Sequence, residues 1–254
     1  MINISYLLSL AFVSCRMFGV IFFNPLFGRQ IIPAIVRVGI SLCLGYFAAS
    51  GMPQMNAADY SGVLMLAIML KEFTTGFVLG FVMTLFFSIF HIGGQIIDYQ
   101  LGLAMATMFD PTSNSQISIT GNLLTVFYTL LFFVTNSHLN LLAIALTSYE
   151  VAPMGFGSVN PQISIYIVEL FAYILIYAVQ LALPWIVTIM AVEAAVGIMM
   201  KVVPNINVFV VNIQMKVICG LIILVTIIPA LSSFMTKINM IMMSRLDTVL
   251  TNMI

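Results

Sequence analysis

Apolar residues fill this chain in runs far longer than the stripe of an amphipathic helix or the alternation of a half-buried strand. A helix that crosses a ~30 Å hydrocarbon core needs about 20 mostly apolar residues. Six runs meet that requirement: 4–23, 31–51, 62–90, 122–146, 163–200 and 208–234. The third and fifth are too long for one straight crossing. Pro184 divides the fifth and predicts either a helical hairpin or a long kinked rod. Between the runs stand clear breakers: Asn24-Pro25-Leu26-Phe27-Gly28, Gly51-Met52-Pro53, the stretch 153–161 with Gly155 and Gly157, and Val203-Pro204-Asn205. The pattern predicts an all-α, polytopic membrane-type protein with broken and kinked helices, folded as one integrated domain.

One polar interruption breaks the apolar text. It reads Gly93-Gly94-Gln95-Ile96-Ile97-Asp98-Tyr99-Gln100, passes through the apolar stretch 101–109, and ends Asp110-Pro111-Thr112-Ser113-Asn114-Ser115-Gln116. Gly93-Gly94 predicts a helix end or tight turn. Asp110 before Pro111 suits a helix N-cap with proline at the first helical position, and Ser113 with Gln116 suits a capping box. The alternation Ile117-Ser118-Ile119-Thr120 also allows a short extended piece. Met105 and Met108 make the middle too apolar for a comfortable solvent loop, and methionine adapts its shape to irregular gaps. Such a loop can fill a pore and move aside, or pack permanently against its own helices. The residues leave both readings open.

Composition agrees with the pattern. Of 254 residues, 62% are hydrophobic and 6% charged, too few charges to cover a soluble surface. Eight basic side chains balance eight acidic ones, which argues against a nucleic-acid footprint. Placement of the charges sharpens the picture. For six spans, Arg29, Arg37 and Lys201 fall on one side and Lys237 and Arg245 on the other, a weak positive-inside bias. Arg16, Lys71, Glu72, Glu169, Glu193 and Lys216 lie within or at the edges of apolar runs. A charge at a bilayer centre costs at least about 2.5–3.5 kcal/mol on insertion scales. Several in one chain predict helices that face protein partners or a wet cavity. Lys71 and Glu72 are adjacent, about 100° apart on a helix, so each either finds its partner on another helix or chain or sits at an interface and snorkels to headgroups. Glu193 sits among Ala191, Ala194, Ala195 and Gly197, which permit close helix approach, and its expected partner is Lys201, Lys216 or Arg16.

The chemistry of catalysis is missing from the text. Cys15, Cys43 and Cys219 lie far apart in apolar runs and read as core residues. His91 and His138 lack a partner at metal-ligand spacing, so no metal and no cofactor is expected. There is no nucleophile elbow, no phosphate-binding glycine loop and no H-E-x-x-H. A non-enzymatic role follows. A self-contained secondary transporter with broken helices is the alternative from another class, and it would need inverted repeats and a converging polar cluster.

Three blocks of residues resemble one family. The segment 94–106, Gly-Gln-Ile-Ile-Asp-Tyr-Gln-Leu-Gly-Leu-Ala-Met-Ala, followed by Asp110-Pro111, resembles the central motif of the FliR family of flagellar biosynthetic proteins, whose virulence counterpart is SctT. Arg16 to Gly28 with Pro33 to Arg37 resembles its N-terminal signature. Leu183-Pro184, Val203-Pro204-Asn205-Ile206-Asn207-Val208-Phe209 and Met215-Lys216 resemble its C-terminal block. Lys201 stands where the family pattern has arginine, and Asn212-Ile213-Gln214 replaces a glycine-containing approach to the Met-Lys pair.

The resemblance implies a single-copy subunit of a type III export gate in the bacterial inner membrane at the flagellar basal body. Its partners would be FliP-like and FliQ-like subunits and the export proteins FlhA and FlhB, and its cargo unfolded protein substrates. About 1–150 would be FliP-like and about 151–254 FliQ-like, within a helical assembly that accounts for the buried charges. The stretch 105–119 would be the plug of a closed channel, with Gly102, Met105, Met108, Phe109, Asp110, Pro111 and Asn114 at issue. Arg16, Pro25, Arg37, Lys71, Glu72, Glu193, Lys201, Pro204, Asn207 and Lys216 would serve assembly.

Overall fold

A computed structural model of the chain describes residues 4–28, 32–52, 61–103, 118–155, 160, 162–203 and 207–252. Among the described residues the chain is all helix, with no strand. The elements are α1 (Ile4–Phe22), α2 (Ala34–Ala49), α3 (Gly62–Leu101), α4 (Ile119–Val134), α5 (Ser137–Val151), α6 (Gln162–Val202) and α7 (Val208–Asn252). The all-α, membrane-type class expected from the pattern holds. By length and composition α1, α3, α6 and α7 can each cross a membrane, and the bent pair α4–α5 makes a fifth if it is one broken span. The count of six falls because α2 has 16 residues, about 24 Å of helix at 1.5 Å per residue, short of a hydrocarbon core.

The other four long runs also differ from the expectation. The third run continues past Phe90 to Leu101, because Gly93 and Gly94 lie inside the helix at close crossings and do not end it. The fourth run is two helices bent by 71°. Asn136 takes a left-handed conformation (φ 55°), which asparagine tolerates better than most residues. The hydroxyls of Thr135 and Ser137 meet at 2.8 Å, and the Asn239 amide donates to both, at 3.3 and 2.6 Å. The side-chain hydroxyls on either side of the break are thus tied to α7. The fifth run is one helix through Pro184, which rules out the hairpin; Thr188 Oγ1 donates to the Pro184 carbonyl at 2.9 Å. The sixth runs through Pro229 to Asn252.

Two compact units divide the contacts. The first comprises Met1–Phe86, Thr135–Leu170 and Asn239–Ile254, and the second Phe87–Val134 and Phe171–Ile238. Their boundaries fall inside α3, α6 and α7 and at the α4–α5 break. The core of the first unit gathers Phe12, Val13 and Met17 of α1 with Ala48, Ala49, Ile68, Ala145 and Tyr149. In the second, Phe90 stacks on Tyr128 with ring centroids 4.2 Å apart, and Phe87 meets Tyr128 edge-on at 4.7 Å. Large apolar side chains remain exposed outside both cores, among them Ile35, Phe47, Leu70, Val187, Ile198 and Val225. Lipid or protein must cover surfaces of that extent.

Candidate functional site

Two polar centres stand out in this apolar fold, one in each unit. In the first unit α1 and α3 cross through glycine: a Cβ on Gly76 would lie 2.0 Å from the Arg16 carbonyl oxygen, and one on Gly19 would lie 2.5 Å from Phe73 O and Phe77 N. The close approach carries Arg16 into the interior, 1% exposed, beside Glu72 at 0%. Arg16 Nε donates to Glu72 Oε2 at 2.7 Å, Nη1 to Ser148 Oγ at 3.0 Å and Nη2 to the Ala152 carbonyl at 2.9 Å. The guanidinium lies over the Tyr149 ring, 4.0 Å from its centroid, and the Tyr149 hydroxyl donates back to the Val13 carbonyl at 3.0 Å. Glu72 Oε1 accepts from the Gly155 backbone N–H at 3.5 Å.

This knot ties α1, α3, α5 and the turn after α5 at one point. A buried pair adds little net stability over a well-packed apolar replacement, but its directional bonds fix which helices meet and in what register. Of the two readings open for Glu72, the fold gives the partner on another helix. Lys71 is half-buried and, among the described residues, enters no ion pair.

The second centre is the base of the polar interruption. α3 ends with Gly102 in the left-handed region (φ 76°), where a side chain would be strained. Its N–H donates to Tyr99 O at 3.2 Å and that of Leu103 to Asp98 O at 3.0 Å, the paired bonds of a Schellman stop. Asp98, 6% exposed, reaches across to the start of α4. Its carboxylate accepts from Ser118 Oγ at 2.7 Å and from the Thr120 N–H at 3.2 and 3.3 Å. Ser118 Oγ in turn accepts from the Gly121 N–H at 2.8 Å, as an N-cap does. A carboxylate in the last turn of a helix is disfavoured by that helix's own dipole and favoured by the N-terminus of the next. Asp98 thereby clasps the two ends of the interruption. Met105, Met108, Phe109, Asp110, Pro111 and Asn114, and likewise Pro204, lie outside the described residues.

Sequence reasoning missed the Asp98–Ser118 clasp. The available signal was an acid where the α3 dipole opposes it, with a capping serine twenty residues on. Asp98→Ala is expected to orphan the Ser118 hydroxyl and the Thr120 N–H, at about 1–3 kcal/mol for buried groups left unpaired. Asp98→Asn, which keeps an acceptor, should cost less. Thermal unfolding of the purified protein in detergent, together with protease cleavage between Leu103 and Ser118, checks both.

The remaining candidates are scattered. Asn24 Oδ1 accepts from the Leu26 N–H at 2.8 Å, an Asx turn with Pro25 at its centre. Arg37 lies over the Phe22 ring at 5.2 Å, with Nη1 3.4 Å from the Gly28 carbonyl. Of the three cations expected for Glu193, the fold selects Lys216: α6 and α7 are joined by that ion pair, its glutamate half-exposed and its lysine mostly covered. Lys201 and Asn207 are exposed near the facing ends of α6 and α7, and the Asn207 carbonyl accepts from the Val211 N–H at 3.3 Å. Among the described residues no three His, Cys, Asp or Glu side chains converge as a metal site would require.

Comparison with known proteins covers nearly the whole chain. The model of the family described as bacterial export proteins, family 1, matches residues 7–241. A protein named flagellar biosynthetic protein FliR from Buchnera aphidicola subsp. Baizongia pistaciae is 26% identical over 232 residues, 91% of this chain and 89% of its own length. The FliR of Bacillus subtilis is 28% identical over 79% of this chain and 78% of its own. Yop proteins translocation protein T of Yersinia pestis is 28% identical over 86% of this chain and 85% of its own.

Proposed function

Because this chain belongs to the bacterial export proteins, family 1, we propose that it is a membrane subunit of a type III protein export apparatus, serving the flagellum. The observation that carries this reading is likeness over most of both lengths to proteins named for flagellar biosynthesis and for Yop translocation. The fold supports it. A pair of charges buried at a helix crossing and broad exposed apolar faces suit a chain completed by neighbouring subunits.

In this reading the chain sits in the bacterial inner membrane at the flagellar basal body. It joins FliP-like and FliQ-like subunits around a conduit for unfolded protein substrates, beside FlhA and FlhB. About 1–150 play the FliP-like part and about 151–254 the FliQ-like part. The chain binds and shapes a passage and performs no chemistry of its own. A virulence setting is the second reading, favoured by the 28% identity to the Yersinia translocation protein. A self-contained secondary transporter draws no support from these likenesses.

The plug of the closed passage is the interruption. Ser118 and Ile119 start α4, so the proposed plug is 105–116, held at its base by Gly102, Asp98 and Ser118. Deleting 105–116 and bridging the gap with a short glycine–serine linker should leave the subunit able to co-purify with its FliP-like and FliQ-like partners. The reconstituted complex should then pass ions and small solutes that the intact complex excludes. Unchanged conductance in a complex of normal composition would remove the plug from the proposal. Failure of the intact chain to co-purify with those partners would remove the proposal itself.

A further inference from the structure

From Phe12 to Phe22 every residue of α1 is buried except Cys15, Phe18 and Phe22. These three are half-buried and share one face, at spacings of three and four. The neighbouring helices pack to either side of that face. On one side α2 approaches Ser14, where a Cβ on Gly45 would lie 2.5 Å from Ser14 Oγ. On the other α3 crosses at Gly19 and Gly76. Phe73 of α3, and Phe23 just past the end of α1, complete the lining of an apolar cavity of about 480 Å³. It opens to the surface, since Phe23 and Phe73 are 40% and 38% exposed.

One end of this cavity carries a cation. α2 runs antiparallel to α1, so that Gly45 lies at Ser14 while Arg37, in the first turn of α2, lies over the Phe22 ring. Phe22 is therefore shared by the cation and the cavity. Among the described residues Arg37 enters no ion pair. Its Nη1 is 3.4 Å from the Gly28 carbonyl, a long contact, and its Nε is buried without a hydrogen-bond partner. Arg16, on the opposite side of α1, is satisfied by a carboxylate, a hydroxyl and a carbonyl. Arg37 lacks its anion.

The order of the two features selects the occupant. The cation sits beside the polar turn that follows α1, where Asn24 accepts from the Leu26 N–H. The cavity runs from Phe22 back to Cys15, seven residues or about 10 Å along the helix. A free anion would use the cation and leave the cavity empty. A plain hydrocarbon would fill the cavity and leave the cation unpaired. We propose that the groove binds one anionic phospholipid, its phosphate at Arg37 and an acyl chain along Phe22, Phe18, Cys15 and Phe73. A guanidinium forks onto phosphate oxygens, and basic pockets between membrane helices take anionic headgroups. The inference goes beyond the export reading and does not depend on it, since it requires only that the chain lies in a membrane.

The test uses the full chain with the partners that co-purify, in phosphatidylcholine nanodiscs. Each sample carries a trace of phosphatidylglycerol or of phosphatidylcholine with a diazirine midway along one acyl chain. After irradiation, labelled peptides are read by mass spectrometry. Phosphatidylglycerol is expected to label 15–22 about fivefold more than phosphatidylcholine does, the worth of one basic side chain at an anionic headgroup. Exposed Leu66 and Leu70 on α3 should show no such preference. Arg37→Gln should abolish the preference and Arg37→Lys should keep most of it, which separates lost charge from lost fold. Cys15→Phe, which fills the cavity and leaves the cation, should lower labelling of 15–22 by both lipids.

Equal labelling of 15–22 by the two lipids overturns the inference. So does an equal preference at Leu66 and Leu70, which would report general surface charge, or a preference that survives Arg37→Gln. Absence of lipid label at 15–22 in the complex also overturns it and assigns the groove to a neighbouring subunit. The ratio measured on the unsubstituted chain decides even where a variant fails to accumulate.

Discussion

Arg16→Ala is expected to prevent accumulation of the folded subunit. The substitution leaves the Glu72 carboxylate at 0% exposure without its cation and strips the donors from Ser148 and from the Ala152 carbonyl. Breaking one side of a buried pair costs about 3–5 kcal/mol, a large share of the 5–15 kcal/mol that holds a typical domain. Little full-length protein should then remain in the membrane fraction by immunoblot. Arg16→Lys should be intermediate, because an ammonium keeps the charge but cannot reach three acceptors from one planar fork. The double variant Arg16→Leu/Glu72→Leu should recover part of the loss, since no charge then stays unpaired. Equal losses in the single and double variants would show that the hydrogen bonds to Ser148 and Ala152, and not the ion pair, hold the crossing.

Gly94→Val should be nearly as severe. The added carbon would sit 2.2 Å from Gly121 Cα and 2.3 Å from Gly121 N, both backbone atoms that cannot swing aside. Overpacking a core with flexible side chains costs about 1–3 kcal/mol, and a backbone clash belongs at or beyond the top of that range. α4 would have to separate from α3, carrying Ser118 away from Asp98. Gly93→Ala is the informative contrast. Its nearest neighbour is the far end of the Leu181 side chain at 2.7 Å, with Ala178 O at 3.0 Å, so it should cost less. Thermal inactivation of the purified complexes gives the order. A Gly94→Val protein as stable as Gly93→Ala would mean that the helices are free to part.

These two variants mark what was and was not legible in the sequence. The starts of α1 and α3 follow from hydrophobic runs, because the apolar pattern is a local property. That Glu72 does not pair with Lys71 was also legible, since adjacent charges on one helix cannot face each other; whether it met a distant partner or snorkelled to headgroups was not. The choice of Arg16 was not, because it depends on glycines nearly sixty residues apart, Gly19 and Gly76, letting two backbones touch.

Gly93-Gly94 is the same lesson in reverse. Glycine costs a helix interior about 1 kcal/mol, so a pair of them reads as an end. Tertiary contact reverses the sign, because only a residue without Cβ admits Gly121 and Ala178 so close. Asn136 shows the opposite error: one apolar run hid a sharp bend whose flanking hydroxyls, on Thr135 and Ser137, accept from Asn239, a hundred residues away. At the loop base, the stop at Gly102 and the cap at Ser118 were hidden behind stronger local signals, Gly93-Gly94 for a helix end and Ser113 with Gln116 for a capping box. Asp98 was hidden too, since its partners belong to another helix.

The first compact unit has a consequence for how the protein is made. It draws on segments far apart in the chain, and the last third of α7, from Asn239 on, is synthesised after its other parts. Until that stretch leaves the ribosome, Thr135 and Ser137 lack their amide donor, and the buried side chains Met242, Leu246, Val249 and Leu250 are missing from the unit. The first unit therefore cannot close its core until the stretch from Asn239 has been made. Neither unit corresponds to one continuous stretch of gene, so no single cut divides this protein into parts able to close a core alone. Truncations meant to isolate one unit will disable both.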